Sequence, residues 1–472
     1  MWPPAGEAWR KEPHSMDDMN LRLLTIDTVD SGPRRLVLLA MCLGVLIAQV
    51  DTSVVNLAVQ PIGATFHASV AALQWVIDAY NLVYAVLLLA GGAIADLYGR
   101  RRAFQIGAAV VAVASIACAM APTVQLLITA RAVAGIGAAI LVPASLAIIR
   151  VVWQEPVARR RALGVWASCN GLAFVIGPTL GGLLIDRLGW RSVFYVIVPV
   201  SLAAFMLAGV AVPESADPKG RRLDLPGQVF GAVALGALVF AAIANGDGRD
   251  LWGSSLALSV FALVLFVVVE RRAGAAALVP PELFRGRAFR GAIVATAAMT
   301  FGIYGMIFLL PLVWQSGRFL TAEQAGLALL PCALVFFLVS PRSGHLAERF
   351  GARLTISAGT ALIGCGLLVL AATAAGRPLL PAEIGLALTG IGMGLNTGPL
   401  MSVAVDAVTS ARSGTASSLI NVARMVGATL GVAILGAGFA AVGGGTVGLR
   451  LAMVVGGSVQ LCGAAIAWAA IR

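Results

Sequence analysis

Asp51, Asp78 and Arg131 stand inside long apolar runs, where a charge is costly and marks a functional position. Two carboxylates and one guanidinium at similar depth could make a proton-coupling site, because buried acids take up and release protons in pumps and a nearby Arg biases which form they hold. Asp51 lies 16 residues past Arg35, about 24 Å along a continuous helix. Asp78 lies 18 residues before Asp96, about 27 Å from that end. Arg131 follows Thr123 by eight residues, about 12 Å from the opposite surface. Plainer readings stand beside these: Asp51 as a structural partner of Arg131, Asp78 at an interface, Arg131 as a static neutraliser. His14, His67 and His345 all fall in the tail or in loops, so carboxylates must carry any coupled proton. A second charge position is Arg424, with Asp406 as candidate partner; functional and structural readings are equally open there.

The elements that must hold these residues are transmembrane helices. Of 472 residues, 59% are hydrophobic and 12% charged, and mean hydropathy is +0.93. Fourteen apolar runs of about 20 residues are spaced along the chain. They lie near 36–58, 73–96, 104–121, 124–150, 161–187, 192–212, 227–245, 252–270, 290–312, 323–343, 353–373, 381–403, 414–439 and 448–471. Helices are required because hydrocarbon offers the backbone no hydrogen-bond partner. The fold class expected is therefore all-α and integral to a membrane.

One short pattern occurs twice. Gly92, Asp96, Gly99, Arg100 and Arg101 join the second and third runs, and Gly344, Glu348, Gly351 and Arg353 repeat the spacing 252 residues later. A charged turn repeated between membrane helices points to a duplicated membrane machine, as in transporters built from parallel repeats. A tight turn that only sets orientation would carry the same pattern. The fifth run contains Gly177, Pro178, Gly181 and Gly182. Proline removes a backbone donor and kinks the helix, and the glycines allow close approach. The result could be a packing kink or a bend that seals a central cavity.

The organisation follows from the offset. We expect a cytoplasmic tail at 1–35, a six-helix bundle at 36–212, a linker with two extra transmembrane helices at 213–289, and a second six-helix bundle at 290–472. Asp224 is placed as an N-cap for the seventh helix. The stretch 271–289 could be a short amphipathic surface helix or plain loop. With both termini inside, 25 basic residues fall on cytoplasmic segments, six on the other side and two within spans. That asymmetry fixes orientation and assigns the net charge of +11 to topology and anionic lipid rather than to nucleic acid.

Soluble-enzyme chemistry is missing. A P-loop needs Gly-Lys before Ser or Thr, and the only lysines, Lys11 and Lys219, follow Arg10 and Pro218. Transport energy would come from an ion gradient. The six cysteines are single, without metal-ligand spacing, and read as small core residues. No metal or cofactor is expected.

Taken together, these motifs resemble the fourteen-helix drug:proton antiporters of the major facilitator superfamily (EmrB/QacA type). The likeness covers the chain from about residue 36. Gly92, Asp96, Gly99, Arg100 and Arg101 match the cytoplasmic-loop motif, with Leu97 where the family usually has Arg. Asp51, Thr52, Val54, Val55, Asn56, Ala58 and Pro61 match the first-helix motif. Arg131, Gly135 and Gly137 match the fourth-helix motif, and Gly177, Pro178, Gly181 and Gly182 the antiporter motif of the fifth helix. The resemblance implies proton-coupled efflux of small amphipathic or cationic organic compounds by alternating access, with Asp51 taking and releasing the proton and Asp78 and Arg131 tuning it. The same fold serves exporters of a single endogenous metabolite or lipid, and a non-transporting receptor is the remote alternative. The partners implied are a small organic substrate, protons and the lipid bilayer.

Overall fold

In the computed structural model, residues 32–217, 224–246, 250–273, 279, 281–316, 319–373, 380–408 and 413–471 are described. The expected tail therefore lies outside the described residues, except that Gly32–Arg35 open the first helix. Lys219, Arg221 and Arg222 of the linker also lie outside the described residues.

Fourteen long helices follow one another: α1 (Gly32–Phe66), α2 (Val70–Tyr98), α3 (Arg100–Met120), α4 (Val124–Val152), α5 (Pro156–Leu188), α6 (Ser192–Ala211), α7 (Leu225–Gly246), α8 (Trp252–Ala273), α9 (Arg287–Ser316), α10 (Ala322–Phe350), α11 (Ala352–Thr373), α12 (Leu380–Asp406), α13 (Ser413–Ala441) and α14 (Gly445–Ala470). Among the described residues, thirteen of these are long and apolar enough to cross a membrane. The other, α12, is 27 residues long but diluted by Thr389, Asn396 and Thr397. Caps fix several starts. Ser69 accepts from the Ala72 N–H, Thr123 from the Leu126 N–H, and Asp224 from the Gly227 N–H as expected. Exposed Glu155 caps α5 through the Val157 and Ala158 N–H groups, and those donors hold its carboxyl below the usual range.

Two helices differ from their sequence reading. The first runs to Phe66 rather than stopping near residue 58, passing through Pro61. Proline has no N–H, so the carbonyl of Leu57, four residues back, loses its helical donor. Gln315 Nε2 of α9 donates to that oxygen at 3.1 Å. α10 is broken: Ala322–Ala328, Leu330–Val339, a 3-10 turn at Ser340–Arg342, then Ser343–Phe350. Pro331 and Pro341 sit at the breaks. In the linker, Pro281–Arg285 forms one 3-10 turn, with Leu283 buried and Phe284 edge-on to Phe289 at 5.4 Å.

The helices form two six-helix bundles plus an inserted pair. In the first, α1 packs on α5 and α6, α2 on α4, and α3 on α4 and α6. In the second, α9 packs on α13 and α14, α10 on α12, and α11 on α12 and α14. The pairings match element by element, as a duplicated chain requires. Glycines bring the backbones together: Gly107 with Gly137 and Gly359 with Gly392 leave no room for a Cβ. Between the bundles, α2 packs on α13 and α5 on α10, again equivalent pairs. The inserted α7 lies against both α2 and α13, while α8 packs on α7.

Candidate functional site

The buried ion pair is present. Arg131 Nη1 meets Asp51 Oδ2 at 2.5 Å, with side chains 1% and 2% exposed. Arg131 is held by two further contacts from α2: its Nε donates to the Val76 carbonyl at 3.1 Å, and its guanidinium lies 4.5 Å from the centre of the Tyr80 ring. Tyr80 donates its hydroxyl to the Ala48 carbonyl of α1. Three helices thus fix one charge pair. Asp51 falls close to the middle of the 35-residue α1, a consequence of the helix running on past Pro61.

Asp78 is not part of that pair. It is fully buried on α2, and neither carboxylate oxygen has a hydrogen-bond partner. Asn81, one turn on, is equally buried, and its amide also lacks partners. Both share a face with Gln74, whose Nε2 donates to the Val432 and Ala433 carbonyls of α13 at 2.9 and 2.8 Å. An ionised carboxylate so enclosed is expensive, and a protonated one much less so. The structure therefore separates the two acids: Asp51 is charge-paired within one bundle, and Asp78 faces the seam between bundles.

The first copy of the repeated turn is tightly built. Asp96 pairs with Arg100 at 2.8 Å, one helical turn on, and the Asp96 carbonyl accepts from the Asp217 N–H. Gly99 takes φ +108° between α2 and α3. A carboxylate absent from the sequence reading sits beside it. Glu214, after α6, accepts from the Arg101 and Arg102 N–H groups at 3.1 and 3.2 Å, capping the positive end of α3. Arg101 also donates to the Val212 carbonyl. In the second copy Glu348 is 83% exposed, with His345 Nδ1 at 3.9 Å. Gly351 keeps φ +87° with nothing around it, Gly344 is equally open, and Arg353 lies over the Trp468 ring of α14 at 4.0 Å.

In α5, Gly177 and Gly181 lie against Ser53 and Val54 of α1, while Gly182 meets the Ala322 carbonyl of α10. The Pro178 carbonyl presses on Gly326. At this end another unforeseen acid acts: Asp186 accepts from the Ala322 and Glu323 N–H groups at 3.1 and 2.9 Å. Among the described residues, the hydrogen bonds that join the two bundles come from Gln74, Gln315 and Asp186. All lie toward the α1–α2 turn. The space enclosed there by Ser53, Phe174, Pro178, Met306 and Leu329 is about 20 Å³, room for roughly one water. The molecule is closed on that side.

Arg424 and Asp406 do not form the expected pair. Asp406 is exposed at the end of α12, and Arg424, half-buried on α13, has no ion-pair partner among the described residues. The two lie 18 positions apart in sequence, but Asp406 is the last residue of α12 whereas Arg424 lies 11 residues past the start of α13, about 16 Å along that helix.

Residues 41–432 match the Major Facilitator Superfamily. The chain belongs to that superfamily. Members are transporters rather than enzymes, which agrees with the paired bundles and buried charges. Multidrug resistance protein Stp of Mycobacterium tuberculosis is 37% identical over 412 residues, covering 86% of this chain and 76% of that one. The methylenomycin A resistance protein of Streptomyces coelicolor is 31% identical over 437 residues, covering 91% and 90%. Among solved structures, a bacterial homologue of the human lysosomal transporter Spinster, inward-facing and unoccupied, aligns with TM-score 0.65 at 18% identity, covering 93% of this chain and 97% of that one. At that identity the likeness speaks for the superfamily fold alone.

Proposed function

We propose that this protein exports small amphipathic organic compounds, drugs and antibiotics among them, in exchange for protons across a bacterial cytoplasmic membrane. Drug and antibiotic resistance proteins are its relatives over most of their length. The observation that carries proton coupling is the enclosed Asp51–Arg131 pair with unpartnered Asp78 on the neighbouring helix. Asp51 is the proton carrier in this reading. Protonation would release Arg131 from its counter-ion, and the guanidinium would then lean on the Val76 carbonyl and the Tyr80 ring. Asp78, on the seam, and Arg131 tune the exchange.

The charge asymmetry of 25 to six supports cytoplasmic termini and puts the α2–α3 turn inside. The closed side is then the outer one. The units are residues 36–212 and 290–472, with 213–289 carrying the inserted pair, and they rock about the central seam. Gly92, Asp96, Gly99, Arg100 and Arg101 form the cytoplasmic latch, and Gly344, Glu348, Gly351 and Arg353 a weaker second one. Gly177, Pro178, Gly181 and Gly182 let α5 close against α1 and α10.

The test is gradient-driven uptake into inverted vesicles beside substrate binding to purified protein. Asp51→Asn mimics the protonated acid, so uptake should fall more than about tenfold, over 1.4 kcal/mol, while binding persists. Wild-type uptake by Asp51→Asn would remove Asp51 as the carrier. Loss of folding and binding together would reduce it to a structural partner, since breaking a buried pair leaves one charge uncompensated.

A further inference from the structure

Asp186 differs in kind from the other residues that join the bundles. Near the end of α5, it accepts hydrogen bonds from the Ala322 and Glu323 N–H groups that open α10, at 3.1 and 2.9 Å. Those donors belong to the other bundle. The start of α10 already carries a cap of its own. Thr321 Oγ1 accepts from the Gln324 N–H at 3.2 Å, and the Gln324 side chain accepts from the Thr321 N–H at 3.1 Å. Helix α10 therefore starts without help from α5, and what the Asp186 bonds add is a link between the two halves. Gln74 and Gln315 bring neutral amides to the seam. Asp186 brings a carboxylate to the positive end of a helix, where hydrogen bonds are charge-assisted. It is also exposed, so water can satisfy the carboxylate and both N–H groups when the contact parts. Beyond it the α5–α10 contact is backbone and apolar packing. Gly182 lies on the Ala322 carbonyl, Gly326 on the Pro178 carbonyl, and Phe174 meets Phe336 edge-on at 5.8 Å.

We infer that Asp186 is the latch of the outer gate: its carboxylate, bonded across the seam to the start of α10, holds the halves closed on the outer side, and each transport cycle must break those bonds. The chemistry requires an acid and not merely a polar side chain. Each N–H has its own carboxylate oxygen, Oδ1 for Ala322 and Oδ2 for Glu323. An amide has one acceptor oxygen and turns an NH2 group toward the second donor. Asp186 acts here as a positioning residue, setting the fraction of time for which the outer side is open. The inference deepens the alternating-access reading and rests on it.

The molecule carries its own reporter for the experiment. Cys332 is 3% exposed and lines the space of about 20 Å³ beside Ser53, Phe174 and Pro178, which holds roughly one water and excludes a thiol reagent. Right-side-out vesicles bearing the full chain are treated with the membrane-impermeant 2-sulfonatoethyl methanethiosulfonate, without substrate or gradient. Peptide mass spectrometry reads the label at each cysteine. Cys332 should react slowly in the wild type and at least about fivefold faster in Asp186→Asn, in proportion to the open population. Asp186→Glu keeps the charge and should fall between the two. Ala322→Pro removes one donor from the opposite side of the latch, at a first helical position where proline is favoured, and should also speed Cys332. Cys118, buried inside the first bundle, should stay unlabelled throughout. Unchanged Cys332 labelling in Asp186→Asn and Ala322→Pro would overturn the latch. So would a parallel rise at Cys118, which would mean a loosened bundle, or a rise confined to inverted vesicles, which would make the gate an inner one. The latch and the export reading fail separately. Faster Cys332 labelling in the variants, with no gradient-driven uptake by the wild type, would keep the latch and overturn export. Normal wild-type uptake with Cys332 labelling unchanged in both variants would do the reverse.

Discussion

The α2–α3 and α10–α11 turns share spacing and backbone but not surroundings. Each ends its helix at a glycine with positive φ, +108° at Gly99 and +87° at Gly351. Each places an Arg two residues on against the end of an equivalent helix. Arg101 meets the Val212 carbonyl and Glu214 beyond α6, and Arg353 meets Trp468 near the end of α14. The acids part company. Asp96 is buried and paired, whereas Glu348 is 83% exposed. The chain after α6 runs back across the first turn and supplies Glu214; α14 supplies only a ring. Glycine spacing therefore encodes the shape of the turn, and the acid from elsewhere in the chain makes it a fastening.

The largest effect should follow from breaking the fastening at Asp96. Asp96→Asn is expected to leave expression near wild type and cut transport about tenfold or more, roughly 1.4 kcal/mol on the barrier. Vesicle uptake normalised to protein amount measures it, and unchanged uptake would reduce the motif to a topology signal. Next comes Glu214→Gln, which keeps the shape but removes the charge over the α3 N-terminus. A loss of about 1 kcal/mol in stability is expected, read as a lower melting temperature that high salt fails to restore. The glycines sharpen the contrast. Gly99→Ala and Gly351→Ala share the backbone strain, about 1–3 kcal/mol. Only the first pushes a Cβ to 2.8 Å from the Glu214 carboxylate. A greater loss of stability at Gly99 is the expected outcome; equal losses would mean that Glu214 moves aside freely. Smallest of all is Glu348→Gln, expected to change uptake by less than about twofold, because exposed pairs contribute little.

Much of this was legible from residue types. Apolar length gave the helices, and the cost of burying a charge singled out Asp51 and Arg131, which do meet. The repeated glycines gave two turns of one shape. What stayed hidden has a common physical cause. Glu214 and Asp186 cap helices 113 and 136 residues away, and a main-chain N–H leaves no mark on the residue that bears it. Nor did the sequence place Asp78 apart from the ion pair, since depth along a helix says nothing of the face. Apolar length alone ended the first run near residue 58, and the helix continues through Pro61 to Phe66, where Gln315 from the other bundle makes the missing N–H tolerable. For Arg424 the sequence offered Asp406 as a candidate partner, and that acid lies exposed at the end of α12.

The closure between the bundles also bears on how such a gate drifts in evolution. Gln74, Gln315 and Asp186 each bond to main-chain atoms across the seam. Val432, Ala433, Ala322 and Glu323 can change identity without altering the atoms those side chains meet. No compensating pair of substitutions is then required, and residue-to-residue covariation is blind to the contact. The Gln315 bond is subtler still. Its acceptor is supplied by Leu57 but set free by Pro61, so the position that records the bond lies one helical turn away from the atom that makes it.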